Sequence, residues 1–346
     1  MDIYVMNKSF KRLGIIDNAS VIWCSRYYDV GDFQITIVAS EKNLELLKAD
    51  HYVYREEVKD VGIIEQIDIT ADENGTEFIK ASGRFLESIL ERRIVWEQTQ
   101  LYGTTENGLR NLVNNNFINP TVANRKIDLI ELGELKGFIE RLEAQYTGDN
   151  ILEVHKKVCL ANQMGFKLLF NFDFEKPRFL HELYKGIDRS YNQSLNSYVV
   201  FSDKYDNLLS RQYQLNFSKI RNTALVAGEG EGINRKTIVV GNAAGLDRRE
   251  IFVDARNLST NNEEVTAEEY NNALKEKGQE NLTTISQAFS GDVYLTDKYI
   301  YNKDFFLGDI VTIENSKWGI FINSRIIEII EREEKGVYNI TPTFGS

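Results

Sequence analysis

The chain has 346 residues, room for two or three domains, and its 42% hydrophobic content with 17 Tyr and 19 Phe excludes wholesale disorder. Two cysteines, Cys24 and Cys159, cannot make a disulfide framework or a four-thiolate zinc site. A net charge of −11 argues against a non-specific grip on nucleic acid, which needs a basic surface.

No basic segment followed by an apolar one opens the chain at Met1-Asp2-Ile3-Tyr4-Val5, so no signal peptide is expected. The apolar runs are short, such as Leu168-Leu169-Phe170, far below the roughly 18 residues a membrane helix needs. The expectation is a soluble chain made in the cytoplasm, with no insertion into a membrane.

The first hundred residues read as β-structure. Phe33, Ile35 and Ile37 alternate with Gln34 and Thr36, and Ile63, Ile67 and Ile69 share one parity. Asp72-Glu73-Asn74-Gly75 then reads as a hairpin turn before Thr76–Ala81, since Asn and Gly tolerate positive φ. Short strands with close turn signals suggest a small barrel or sandwich. Ser40 is a cap for a short helix with Leu44 and Leu47. After Gly83, the stripe Phe85, Leu86, Ile89 and Leu90 predicts a second helix ending at Arg92 and Arg93.

The middle third changes character. Thr104 or Thr105 caps a predicted helix with Leu109, Leu112 and Val113, stopped by Asn114-Asn115-Asn116 and Pro120. Asp149 is expected to cap another, carrying Ile151, Leu152, Val158 and Cys159 and ending at Gly165. Lys167–Phe172 reads as a buried strand. The last third returns to β, with candidate strands from Val199-Val200 to Val337–Ile340 and one polar helix from Thr266 to about Ser286. These readings divide the chain into residues 1–103, an inserted α+β domain at 104–195, and a β-rich region at 196–346. The expected class is α+β, mainly β.

An internal echo runs from one end to the other. Val30-Gly31-Asp32-Phe33 precedes a strand-like run, and so does Leu307-Gly308-Asp309-Ile310; each is followed by a Gly-led strand, at Gly62 and at Gly319. Coincidence of turn chemistry is one reading. The other is two copies of one barrel flanking an insertion, with Asp32 and Asp309 equivalent.

Catalytic constellations are scarce. His51, His155 and His181 lie far apart. His155 stands four residues before Cys159, on one helical face, and reads as an exposed His beside a buried Cys rather than a nucleophilic pair. Gly228-Glu229-Gly230-Glu231-Gly232 lacks the Gly-Lys-Ser/Thr ending of a phosphate loop and carries two glutamates, so an acidic hairpin tip is expected. The carboxylate pairs Glu56-Glu57, Glu263-Glu264, Glu268-Glu269 and Glu333-Glu334 read as solvated surface. No metal or cofactor is expected and no catalytic residue is assigned.

Ile15-Ile16-Asp17, Ser20-Val21-Ile22-Trp23, Arg26-Tyr27-Tyr28 and Gly31-Asp32-Phe33 form an N-terminal pattern. Gly83-Arg84-Phe85-Leu86 leads to Ile89-Leu90-Glu91-Arg92-Arg93; Leu307–Val311, Trp318-Gly319-Ile320 and Pro342-Thr343-Phe344-Gly345 follow at the far end. In this combination the chain resembles, over essentially its whole length, the siphovirus tail-protein family found in prophages of Gram-positive bacteria. Members of that family are similar to the baseplate hub of contractile tails and to the N-terminal hub portion of tail-associated lysins. The resemblance implies a homotrimeric hub in which two related barrels per subunit form a ring of six. It implies a place in the virion at the tail tip or baseplate. Implied partners are the distal tail protein, the tail tube and tape-measure proteins, and a spike or fibre, with DNA passing through unbound. Trp23, Gly31, Asp32, Phe33, Gly83, Phe85, Gly308, Asp309, Trp318 and Gly319 are the implied structural motif, and Glu229 and Glu231 a channel or subunit contact. Many relatives continue into a peptidase or lysozyme domain; this chain stops after Phe344-Gly345, so cell-wall cutting is expected to belong to another chain. The alternatives are a carbohydrate-binding adhesion module using Tyr27, Tyr28, Tyr299 and Tyr301, and a cell-wall hydrolase.

Overall fold

Alternation along Asp32–Val38 buries Phe33 and Ile35 and leaves Gln34 and Thr36 half-buried on the opposite face. The computed structural model describes every residue except 57, 206, 260–264, 284–285, 294–298 and 346. The Asp32–Val38 strand lies between Ser20–Arg26 and Glu77–Phe85, both antiparallel to it. Beyond Glu77–Phe85 the sheet continues through Val61–Ala71, Tyr52–Tyr54, Ile3–Met6 and Arg12–Ile16.

The other side of Ser20–Arg26 carries the far end of the chain. Ile320–Glu334 pairs antiparallel with it, setting Trp23 against Glu331 and Cys24 against Ile330. Val337–Gly345, Ser286–Val293 and Leu208–Asn216 follow in order. Ile310–Asn315 branches from Ile320–Glu334 and pairs in parallel with Val200–Ser202. Among the described residues thirteen strands thus share one sheet.

That pairing regroups the chain. One compact unit holds residues 1–88, 164–213 and 288–346; the other holds 89–163 and 214–287. The consecutive blocks 1–103, 104–195 and 196–346 expected from the sequence are therefore not the observed units. Each observed unit is assembled from separated segments, because Ser20–Arg26 finds its neighbour some 300 residues downstream. The first unit has two apolar cores, one around Trp23, Phe33 and Phe85 and one around Phe201, Phe289 and Phe344. Among the described residues its strands follow an open, branched path and close no barrel.

Nor are the two Gly-Asp sites equivalent. Glu77–Phe85 intervenes between Asp32–Val38 and the Gly62-led strand, whereas Ile310–Asn315 pairs directly with the strand that follows Gly319. Asp32 is half-buried at a strand start, while Asp309 is buried and follows a glycine at φ +94°. The matching letters belong to two different turns.

Three local expectations also change. Leu86–Arg92 is a 3-10 helix, with Leu86, Ile89 and Leu90 buried. The cap of Ile151–Ala161 is Asn150, whose Oδ1 accepts from Leu152 N–H at 3.0 Å; Asp149 instead accepts from Thr147 N–H. Thr105–Val113 does not stop at its asparagines but runs on into a π-helical turn, Asn114–Ile118.

In the second unit Thr223–Ala227 is the middle strand of three, antiparallel to Thr237–Val240 and parallel to Glu250–Asp254. The inward residues Ala224, Val226, Val240 and Val253 pack on Tyr270, Ala273 and Leu274 of the helix Ala267–Asn281. Thr266 and Glu269 cap that helix reciprocally, which fixes its start.

Candidate functional site

Five of the motif residues meet in the N-terminal core of the first unit. The Trp23 ring lies 4.7 Å from Phe85 and 5.8 Å from Phe33, all three buried. Gly31 lies against the Phe85 ring. Gly83 opposes a bulge in the Val61–Ala71 strand, and a Cβ there would sit 1.8 Å from the Ile63 carbonyl oxygen, so only glycine lets the two backbones approach.

The motif acids do different work. Asp32 pairs with Arg26, whose Nε reaches Glu328 at 2.9 Å on the far-end strand. Asp309 accepts from Ile187 N–H at 2.7 Å, Phe306 N–H at 3.0 Å and Arg189 Nε at 2.8 Å, tying the 186–189 segment to its own turn. Gly308 holds its positive φ under the Tyr27 ring. Trp318 and Gly319 stand apart from these, at the turn between Ile310–Asn315 and Ile320–Glu334, with Trp318 half exposed.

Where the two chain ends join, the structure assembles a buried ionic seam that no sequence spacing reveals. Arg55 pairs with Glu331 at 2.9 Å, both nearly inaccessible, and Tyr338 donates to the same carboxylate. Lys167 reaches Asp60 at 2.6 Å and Glu87 at 4.0 Å. Asp60 also accepts from the Ser25 hydroxyl at 3.0 Å, and Glu87 from Leu168 N–H at 3.2 Å. A cavity of about 530 Å³ opens beside it, lined by Asp60, Lys167, Tyr184, Tyr301, Asp309 and Glu331 among others.

Burial opposes the charge on Lys167, but Asp60 and Glu87 outweigh it and raise its pKa above the usual lysine range. Burial pushes Glu87 up to about 7, against the pull of Lys167. The seam holds one cation between two carboxyl groups.

The Glu87 shift has a definite sign. The folded carboxyl binds its proton more tightly than the unfolded one, so its contribution favours folding below about pH 4.5 and is lost as pH rises toward about 7. Glu87→Gln keeps an acceptor for Leu168 N–H and is expected to flatten stability across that interval. Urea midpoints from pH 4.5 to 7.5 would check this; a variant whose profile runs parallel to the parent would refute it.

His155 is fully buried, not exposed as its lysine neighbours suggest. Its Nδ1 lies 2.8 Å from the Ile151 carbonyl, and burial lowers its pKa to about 4. Cys159, on the same helix, is buried and its thiol is pushed up by desolvation. A neutral imidazole and a protonated thiol do not form a nucleophilic pair. Among the described residues no group of three or more His, Cys, Asp or Glu could hold a metal ion.

The tyrosines considered for adhesion are packing groups. Tyr27 is buried edge-on to Tyr28 and Tyr184, and Tyr299 and Tyr301 are part of the second core. In the second unit Glu229 donates its N–H to the Tyr270 hydroxyl at 2.7 Å and pairs with Lys236 at 3.2 Å, while Glu231 is exposed. Both glutamates sit in the connection between Thr223–Ala227 and Thr237–Val240.

Residues 2–346 match the family described as Siphovirus ReqiPepy6 Gp37-like protein. No curated protein matches the chain. Its fold is similar to that of a tail protein from Neisseria meningitidis MC58, at 11% identity and a TM-score of 0.59, covering 100% of this chain and 96% of that one. A 43 kDa tail protein of prophage MuSo2 from Shewanella oneidensis gives 12% and 0.61 over 99% and 98%. Prophage tail protein gp18 from Listeria monocytogenes EGD-e gives 11% and 0.51 over 99% and 94%. No helix among the described residues is long and apolar enough to cross a membrane.

Proposed function

This chain belongs to the Siphovirus ReqiPepy6 Gp37-like family, and from that premise we propose that it is a structural component of a phage or prophage tail, a homotrimeric hub at the tail tip or baseplate. In this reading it joins the tail tube to the distal spike or fibre, and DNA passes along its channel without being bound. The observation that carries the reading is the correspondence of fold over the whole chain with solved tail proteins. The continuous sheet of the first unit supports it, since a load-transmitting ring needs both chain ends locked into one body. In the same proposal each of its two cores completes a barrel in the assembled ring.

The second unit offers a subunit contact. Val239, Leu225 and Phe252 stand opposite one another on adjacent strands, at 57%, 43% and 57% exposure. This apolar row faces away from the core beneath it. Residues 228–256 carry five acidic and five basic side chains, so the −11 of the chain lies elsewhere. A charge-balanced face is where two acidic copies can approach without net repulsion. Glu229 and Glu231 flank it in sequence and are assigned to that subunit contact, the loop tip Ile233 being fully exposed beside them in the chain.

Sedimentation of the purified protein tests this. A trimer is expected, alone or with the distal tail protein. Val239→Asp/Phe252→Asp should shift it to monomer while leaving its far-ultraviolet spectrum unchanged. A parent protein that stays monomeric with its tail-tip partners present would overturn the hub reading.

A further inference from the structure

Trp96 is 55% exposed and sits in the second unit between two clefts. This exposed indole is covered by a cation on one face. The Arg125 guanidinium stacks over its ring at 4.9 Å, and Arg125 in turn donates to the Ile94 carbonyl at 2.8 Å and to Asn116 Oδ1 at 3.2 Å. The Trp96 backbone N–H donates to the same Asn116 oxygen at 3.2 Å. Asn116, itself buried, is anchored through Nδ2 to the Leu112 carbonyl at 2.9 Å.

The neighbouring amides are also fixed. Asn114 and Asn115 belong to the π-helical turn Asn114–Ile118, a rare local geometry that recurs at functional sites, and Asn119 follows it directly. Asn114 Nδ2 donates to Asn115 Oδ1 at 2.9 Å, and Asn119 Nδ2 to Asn114 Oδ1 at 2.8 Å. Across the cleft, the Thr121 hydroxyl donates to Glu97 Oε1 at 2.7 Å. The cleft measures about 400 Å³ and is lined by Trp96, Glu97, Gln98, Gln100, Asn115 and Asn119, among others. That volume lies within the roughly 300–1,000 Å³ of small-ligand pockets.

We propose that this cleft is a saccharide-binding site, with Trp96 as the stacking platform. Arg125 covers one face of the indole, leaving the other for the apolar C–H face of a sugar ring. Amide side chains offer both donors and acceptors, and a carboxylate accepts, which suits the hydroxyls of a sugar. The lining is mostly uncharged, and Glu97 balances Arg125, so a phosphate-rich ligand gains little there, whereas a neutral or N-acetylated sugar matches both the ring and the amides. Because the ring and amides are already held in place, binding does not have to order them. This site is independent of the hub reading: it lies wholly in the second unit and does not involve the exposed row of Val239, Leu225 and Phe252.

The test uses the full-length protein, fluorescently labelled, on an array of neutral hexose and N-acetylhexosamine oligosaccharides. The strongest hit is then titrated calorimetrically. Binding is expected, with Trp96→Ala at least tenfold weaker and Trp96→Tyr intermediate. Asn115→Ala/Asn119→Ala should also weaken it while the far-ultraviolet spectrum stays that of the parent. A second readout is intrinsic fluorescence: the ligand-induced change should vanish in Trp96→Phe, where Trp23 and Trp318 remain. An array without any hit, a hit indifferent to Trp96→Ala, or Trp96-dependent binding of a single-stranded oligonucleotide in place of sugar would each overturn the proposal.

Discussion

Phe85→Ala is expected to cost about 3–5 kcal/mol, the range for removing a large buried aromatic. Phe85 is 1% exposed and ends the Glu77–Phe85 strand, with its ring against Trp23 and over Gly31. Its backbone cannot move to refill the space, because Phe85 N–H donates to the Gly31 carbonyl at 2.9 Å and Gly83 is already in contact with the neighbouring strand. A cavity that cannot collapse carries the upper part of that cost. Phe85→Leu, keeping most of the volume, should fall well below it. Urea unfolding followed by Trp23 emission would read both. A Phe85→Ala loss under about 1 kcal/mol would mean that the ring is not a keystone of this core.

The second large effect is expected at Lys167→Met. The substitution keeps most of the length of the side chain but leaves the buried Glu87 and the largely covered Asp60 without their cation. Removing one partner of a buried ion pair costs about 3–5 kcal/mol, because the remaining charge has lost its water as well as its partner. Replacing the pair together is much milder, so Asp60→Asn/Lys167→Met should recover a large part of the loss. The double-mutant cycle isolates the coupling between Asp60 and Lys167. Equal stability of Lys167→Met and the parent protein would show that the seam is hydrated and not a tie between chain segments.

Sequence patterning was sufficient wherever the cause was local. Period-two alternation placed Phe33 and Ile35 in the core, Thr104 and Thr266 marked helix starts through their own hydroxyls, and Asp72–Gly75 made the turn before Glu77–Phe85. The resemblance to tail proteins, carried by short collinear motifs, led to the family that the chain belongs to. Even so, identical letters misled at Gly31-Asp32 and Gly308-Asp309, since a dipeptide specifies a turn and not the strands around it.

Only the tertiary structure decided which strands are neighbours. The Ser20–Arg26 strand carries polar Arg26 and the small residues Cys24 and Ser25, and nothing in it announces Ile320–Glu334 as its partner. The fold brings Arg55 to Glu331, and Lys167 to Asp60 and Glu87, and each alone reads as an ordinary surface charge. The same holds for Trp96, whose partners Asn116 and Arg125 lie 20 and 29 residues away in two separate elements. Local hydrogen bonds and alternation act over a few residues and leave a mark in the sequence. Pairing across hundreds of residues is chosen by the summed fit of whole strands, and no short segment records it.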